Sequence, residues 1–251
     1  NSAVQSDSSA SAPETASWTL RLGDCPEFRG PRRDGVVAGV ELTANWDDHP
    51  PRLLWRNRVG PGWSSVIIVD GHLVTQEQRG EVETVVCYDA ATGREIWVHG
   101  DAVRFDEKLA GVGPRATPTF HDGRIYTFGA KGKLNCLGAE TGAVIWSCDV
   151  TVDAEVEASE IPTWGYSVSP LVVDGLVAVF PGGTKGKSLL AYRASDGELA
   201  WSQSAGKSTY SSPQLVTLDG VKQIVMHDGQ ALAGYDIAAG TKTVGHFVMV
   251  N

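Results

Sequence analysis

No stretch of this 251-residue chain approaches the roughly 18 consecutive apolar residues that a membrane-spanning helix needs, so no helical span is expected. Positive charge is in deficit: 21 Lys and Arg stand against 30 Asp and Glu, a net charge of −9. A chain of that sign repels phosphate backbones, so nucleic acid is not an expected partner. Cysteine is sparse. Cys25, Cys87, Cys136 and Cys148 include no C-x-x-C pair, which removes a zinc knuckle or thioredoxin-type motif; by count alone a Cys136–Cys148 disulfide is conceivable. The six histidines stand singly with no H-x-x-x-H spacing, and no G-x-S-x-G, P-loop or dinucleotide fingerprint occurs. Helical periodicity is also missing. Only 101–111 and 153–161 are ambiguous, and both read as loops between repeats.

What is present is globular composition, 42% hydrophobic and 20% charged, enough for a real core. Residues 1–17, NSAVQSDSSASAPETAS, are Ser/Ala-rich and free of aromatics, and read as a flexible leader. The leader lacks the basic and apolar regions of a signal peptide, so the expectation is that a signal or anchor was removed upstream, with a cropped sequence as the alternative. Order is expected from Trp18 onward, giving one domain over 18–251.

Internal repetition decides the architecture. CYDAATGREIW (87–97), CLGAETGAVIW (136–146), AYRASDGELAW (191–201) and a worn GYDIAAGTKTV (234–244) align on Gly93, Gly142, Gly197 and Gly240, and the first three end in Trp97, Trp146 and Trp201. Between them lies a second motif. WSSVIIVDGHLVT (63–75), RATPTFHDGRIYTF (115–128), YSVSPLVVDGLVAVF (166–180) and TYSSPQLVTLDGVKQIVM (209–226) each place a D-G pair between two apolar runs. That is a β-hairpin with a type I′ turn. Each unit therefore reads as four antiparallel strands, the signature of a β-propeller blade. Blades are expected over 56–97, 98–146, 147–201 and 202–244.

The spacing assigns structural roles. The T-G glycine permits a tight turn with positive φ. The Trp four residues on is expected to pack against the next blade. Six residues before each glycine stands a small residue, Cys87, Cys136, Ala191 or Gly234, so Cys87 and Cys136 read as core filler. The stretch 52–55, RLLW, reads as an isolated outer strand of the kind that completes the last blade of a ring.

At these residues the chain resembles the PQQ-like (pyrroloquinoline-quinone-type) β-propeller repeat family, with pattern A-x-D-x-x-T-G-x-x-x-W. Asp89, Thr92, Gly93 and Trp97 match in the first copy; Thr141, Gly142 and Trp146 in the second; Ala191, Gly197 and Trp201 in the third; Asp236 and Gly240 in the fourth, which has Val244 for the Trp. Gly138, Arg193 and Asp196 depart from the pattern. DCPEFRGPRRDG (24–35) also resembles the W-P-x-F-R-G-P-x-x-D-G opening of secreted bacterial proteins with these repeats, with Cys25 in place of the Trp. The fold expected is all-β, a propeller of four recognisable blades. Family rings are usually larger, so the expectation is an incomplete ring, with a second subunit or closure by four blades as alternatives. Open blade edges would permit self-association.

The resemblance implies two activities. One is a non-catalytic, BamB-like scaffold that holds a protein or peptide; the other is a quinoprotein dehydrogenase carrying PQQ and calcium. The dehydrogenases use a cation with oxygen ligands, a catalytic Asp, a stacking Trp and an adjacent Cys-Cys pair. Here no Cys-Cys pair occurs, and the acidic runs at Asp101, Asp106 and Glu107 and at Asp153, Glu155, Glu157 and Glu160 lack metal-loop spacing. The scaffold is the reading adopted, with no catalytic residue, no metal site and no bound cofactor; the implied location is secreted, periplasmic or on the cell surface.

Two sets of channel residues remain. Ser65, Thr117, Ser169 and Ser212 precede the first strand of every blade, and read as backbone caps more than as a ligand funnel. Trp63, Arg115, Trp164, Tyr166 and Tyr210 break the repeat near the same mouth. Arg115 is a candidate clamp for a carboxylate or phosphate. The aromatics are candidate platforms for a planar ligand, a sugar ring or a peptide, so a carbohydrate-binding propeller is a further alternative.

Overall fold

The computed structural model describes residues 17–183, 185–206, 210–229 and 231–243. The expected leader, apart from Ser17, and the Val244 position of the worn repeat lie outside the described residues.

Four successive antiparallel sheets follow the repeats. The first blade comprises β1 (Ile67–Val69), β2 (His72–Arg79), β3 (Val82–Asp89) and β4 (Glu95–Asp101). A small hairpin follows, β5 (Asp106–Glu107) and β6 (Gly111–Val112). The second blade is β7 (Thr119–His121), β8 (Arg124–Phe128), β9 (Lys133–Gly138) and β10 (Val144–Asp149), with the one-turn helix α1 (Val150–Ala154) after it. The third is β11 (Leu171–Val173), β12 (Leu176–Val179), β13 (Leu189–Arg193) and β14 (Leu199–Gln203). The fourth is described with three strands, β15 (Gln214–Leu218), β16 (Val221–His227) and β17 (Leu232–Tyr235), plus a bridge between Tyr235 and Lys242. The stretches 101–111 and 153–161 do connect blades, but the first holds the β5–β6 hairpin and the second begins inside α1.

Local chemistry explains the hairpins. Asp70-Gly71, Asp122-Gly123, Asp174-Gly175 and Asp219-Gly220 all have φ between 46° and 80° at both positions, the type I′ geometry whose twist matches the flanking strands. The outer strands share a second feature. The register slips beside the small residue: Cys87 pairs with Trp97 but Tyr88 with Glu95, Cys136 with Trp146 but Leu137 with Val144, and Ala191 with Trp201 but Tyr192 with Leu199. A one-residue bulge thus precedes each Trp and re-aims it.

The inner strands run in series, β1 beside β7, β7 beside β11, and β11 beside β15. The blades form a propeller arc with apolar layers between them. Val69, Val74, Cys87 and Trp97 meet Phe120, Ile125 and Leu137, and Tyr126, Cys136 and Trp146 continue into Val177, Ala191 and Tyr192. Cys87, Cys136 and Ala191 are fully buried, the core-filling place expected of them. All four cysteines are free thiols, so Cys136 and Cys148 are not joined. Residues 52–55 form no strand here; Trp55 nonetheless seats against Gly93 and donates its indole N–H to Ala90 O at 2.9 Å.

Candidate functional site

Trp63, Arg115, Trp164 and Tyr210, with Ala110 and Ser167, line one concavity of about 260 Å³. The repeat explains the convergence. Trp63, Arg115, Ser167 and Tyr210 each stand two residues before Ser65, Thr117, Ser169 and Ser212 respectively. One equivalent position from each of four blades therefore supplies a wall, and Ala110 and Trp164 close it from the connectors. Ser167 and Ala110 escaped the sequence reading. The fixed offset from the hydroxyl residues was the signal for Ser167; nothing local marks Ala110.

Two of the four hydroxyls beneath the cup, those of Ser169 and Ser212, bond to backbone. Ser169 Oγ accepts from Thr117 N at 3.0 Å, and Ser212 Oγ accepts from Ser169 N at 2.9 Å. Each thus caps a buried N–H of the preceding blade, one blade stitched to the next. Ser65 is exposed.

The walls are aromatic, and most of the polar atoms around them have partners. Trp63 donates from Nε1 to Ala110 O at 2.5 Å and from its backbone N–H to Pro114 O at 2.8 Å. The Trp164 and Tyr210 rings stack with centroids 5.3 Å apart. Tyr210 OH accepts from Trp164 N at 3.4 Å, and Ser167 Oγ donates to Tyr210 O at 3.4 Å. Arg115 is 9% exposed. It donates from Nε to Trp164 O and from Nη2 to Gly111 O, both at 2.7 Å, and from Nη1 to Gly113 O. Its guanidinium lies 4.4 Å from the Phe105 ring centroid. Burial lowers its pKa, with Glu83 and Glu107 acting the other way. The fork expected to clamp a ligand anion is turned on the protein's own carbonyls, where it ties the β5–β6 hairpin to the loop before β11.

Tyr166 is not part of the cup. It is 2% exposed, its ring packs 5.2 Å from that of Phe128, and its N–H donates to Ala130 O at 2.9 Å. That backbone bond turns the side chain into the layer between blades, and burial raises the phenol's pKa.

The acidic runs serve local structure. Glu107 accepts from Leu109 N and Ala110 N, Asp101 from Asn135 Nδ2, Asp153 from Tyr192 OH, and Glu155 pairs with Lys187. Among the described residues no three His, Cys, Asp or Glu side chains gather closely enough to hold a metal ion. One carboxylate is conspicuous. Glu83 is 6% exposed and, among the described residues, accepts from Ala130 N alone. Burial pushes its pKa up to about 7, reinforced by Asp101 and opposed by the Ala130 bond.

The family model described as "Outer membrane protein assembly factor BamB" matches residues 81–248. The chain belongs to this family. Two curated relatives of this BamB-family chain are quinohemoprotein alcohol dehydrogenases of Pseudomonas putida. ADH IIB is 30% identical over 128 residues and ADH-IIG 29% identical over 141 residues. These alignments take in 47% and 54% of this chain but only 17% and 18% of the relatives, so the chain spans a small part of their length. Among solved structures, the quinohemoprotein alcohol dehydrogenase of Comamonas testosteroni superposes with a TM-score of 0.67 at 14% identity, over 90% of this chain and 41% of that one. That likeness establishes the propeller fold.

The quinone and cation implied by those relatives can be set against the residues present. The cup offers faces for a planar ring, but its lining contains no carboxylate, and a hard cation takes several converging oxygens. Arg115, the one charged side chain of the lining, spends its donors on carbonyls. The described residues do not fit a quinone bound with its calcium.

Proposed function

We propose that this BamB-family chain is a non-catalytic, extracytoplasmic propeller module that holds an extended segment of a protein partner at the aromatic cup. One observation carries the reading: Trp63, Trp164 and Tyr210 are 67%, 47% and 41% exposed around a single concavity. Large aromatics gathered in one hollow are the residues that dominate protein–protein binding energy. The Trp63 indole N–H and the Arg115 guanidinium are already bonded within the chain, which favours an apolar side chain over a sugar, whose hydroxyls need free partners. The BamB family description supports a scaffold outside the cytoplasm. No helix among the described residues is long and apolar enough to cross a membrane.

The test is isothermal titration with extended peptides carrying a central proline, leucine or phenylalanine, beside PQQ with calcium chloride. Peptide binding that weakens about tenfold or more in Trp164→Ala supports the scaffold. A melting temperature raised by PQQ with calcium, with no peptide bound, replaces it with the quinoprotein reading.

A further inference from the structure

The segment Asp24–Gly35 crosses the inner edges of three blades in turn. Cys25 bridges Ile68 of β1, with Cys25 N donating to Ile68 O at 2.8 Å and Ile68 N to Cys25 O at 2.9 Å. Pro26 O, the next carbonyl, accepts from Phe120 N of β7 at 2.8 Å. At the far end Arg33 donates from Nη1 to Pro170 O and from Nη2 to Ser169 O, both at 3.0 Å, just ahead of β11. β1, β7 and β11 are each the terminal strand of their sheet. Terminal strands present unpaired N–H and C=O groups, and this one segment bonds to two of them and holds the carbonyls that lead into the third.

The segment is built for that place. Arg33 is 3% exposed, and Glu27 Oε2 sits 2.7 Å from its Nη1 as counter-ion. A guanidinium so enclosed persists only where ion pair and carbonyls together replace water. Arg29 and Arg33 have φ of 64° and 55°, and Gly30 and Gly35 of 88° and 82°. Left-handed arginines are strained, and hold only when the surroundings fix them. Upstream, Trp18 stacks on His72 at 4.1 Å, and Asp24 Oδ2 accepts from Asp70 N at 3.1 Å, which anchors the segment to the turn of the first blade. Ser169, whose carbonyl Arg33 holds, lies two residues beyond Ser167 of the cup.

We propose that residues 24–35 are an axial plug: a tethered piece of the chain that occupies the propeller channel, floors the aromatic cup and withholds the inner edges of the first two blades, and the entry to the third, from any other strand. Arg33 and Glu27 are its latch. A partner then reaches the cup from the mouth and does not thread the channel. The plug is a unit that opens separately from the blades, because most of its hydrogen bonds are internal to it, its few bonds to the blades run along their inner rim, and none of its side chains joins the apolar layers between sheets.

Cys25 reports on the plug, and the fully buried Cys87 and Cys136 report on the blades. The full chain is labelled with an aromatic disulfide reagent, and the rate at each thiol is followed by peptide mass spectrometry. In Arg33→Met, Cys25 labels about tenfold faster or more while Cys87 and Cys136 keep their rates, and the amides of Ile68 and Phe120 lose hydrogen-exchange protection together. Glu27→Gln gives the same pattern more weakly, and it carries the test if Arg33→Met does not fold. Equal acceleration of all three thiols overturns the proposal, because Arg33 would then be an ordinary part of the fold. So does a Cys25 rate unchanged in folded variants. Neither result depends on what the cup binds.

Discussion

The indole of Trp97 seats against Gly142 of the following blade and donates its N–H to Ala139 O at 2.9 Å. The relationship recurs with Trp55 on Gly93 and Ala90, Trp146 on Gly197 and Ala194, and Trp201 on Gly240 and Ile237, each N–H at 2.9 Å. Four junctions use one device: a glycine whose missing Cβ leaves the seat, and a carbonyl three residues earlier that fixes the ring. The glycine answers two demands, a positive φ and a close contact.

These demands separate by mutation. At Gly142, φ is +68° and an added Cβ would stand 2.5 Å from Trp97 Cε3; at Gly175, φ is +77° with nothing within 4 Å. Gly175→Ala is expected to cost about 1 kcal/mol from backbone strain alone. Gly142→Ala is expected to cost about 2–4 kcal/mol, because overpacking is added to that strain. Urea unfolding measures both, and equal costs would show that the seat contributes nothing.

The indole N–H is a separate contribution. Trp97→Phe keeps an aromatic ring on the seat but leaves Ala139 O without the indole donor, at an expected cost of about 1–3 kcal/mol. Trp97→Ala also empties the layer between the first two blades, for about 3–5 kcal/mol. If Phe matches wild type in the same unfolding assay, the ring packs without need of its hydrogen bond.

Much of this was legible before any coordinates, for physical reasons. A D-G pair has few alternatives to a I′ turn, and a Trp four residues after a T-G can recur in register only if every blade puts it in the same place. Channel geometry was less legible because it depends on where connectors cross. Tyr166 reads like Tyr210 in sequence, yet a bond to Ala130 O sends it inward. Arg115 reads as a ligand clamp, yet the β5–β6 hairpin wraps its fork in carbonyls. Neither contact has a local pattern, since both partners are supplied by tertiary packing. The plug motif carried a resemblance but no hint of its place, because contact with three successive blades is a property of the assembled arc.

The hydroxyl stitches give a position-dependent prediction. Ser169→Ala removes the acceptor of the buried Thr117 N–H, and Ser212→Ala that of Ser169 N–H. Each is expected to cost about 1–3 kcal/mol, the penalty of an unpaired buried donor. Ser65→Ala, at an exposed site, is expected to stay within about 0.5 kcal/mol of wild type. Chemical denaturation of the three variants side by side decides it. A large loss at Ser65 or none at Ser169 would mean that the hydroxyls do not act as caps.

Glu83 makes stability depend on pH in the direction opposite to the usual carboxylate. Its pKa rises from 4.5 to about 7 through burial, so between those values the folded state holds a proton that the unfolded chain has lost. Folding is then favoured by proton binding, and the contribution is fully present below about pH 4.5 and is lost as pH rises through 7. The loss is on the order of 3 kcal/mol at most. Glu83→Gln keeps an acceptor for Ala130 N and removes the titration. The difference in unfolding free energy between variant and wild type is therefore expected to grow in favour of Gln from pH 4.5 to pH 7.5 and to level off above. Taking the difference cancels the other carboxylates, among them Asp89, Asp101 and Asp196, whose lowered pKa values give slopes of the contrary sign. A difference that stays flat across this range would mean that water reaches the carboxylate and that the first two blades do not seal around it.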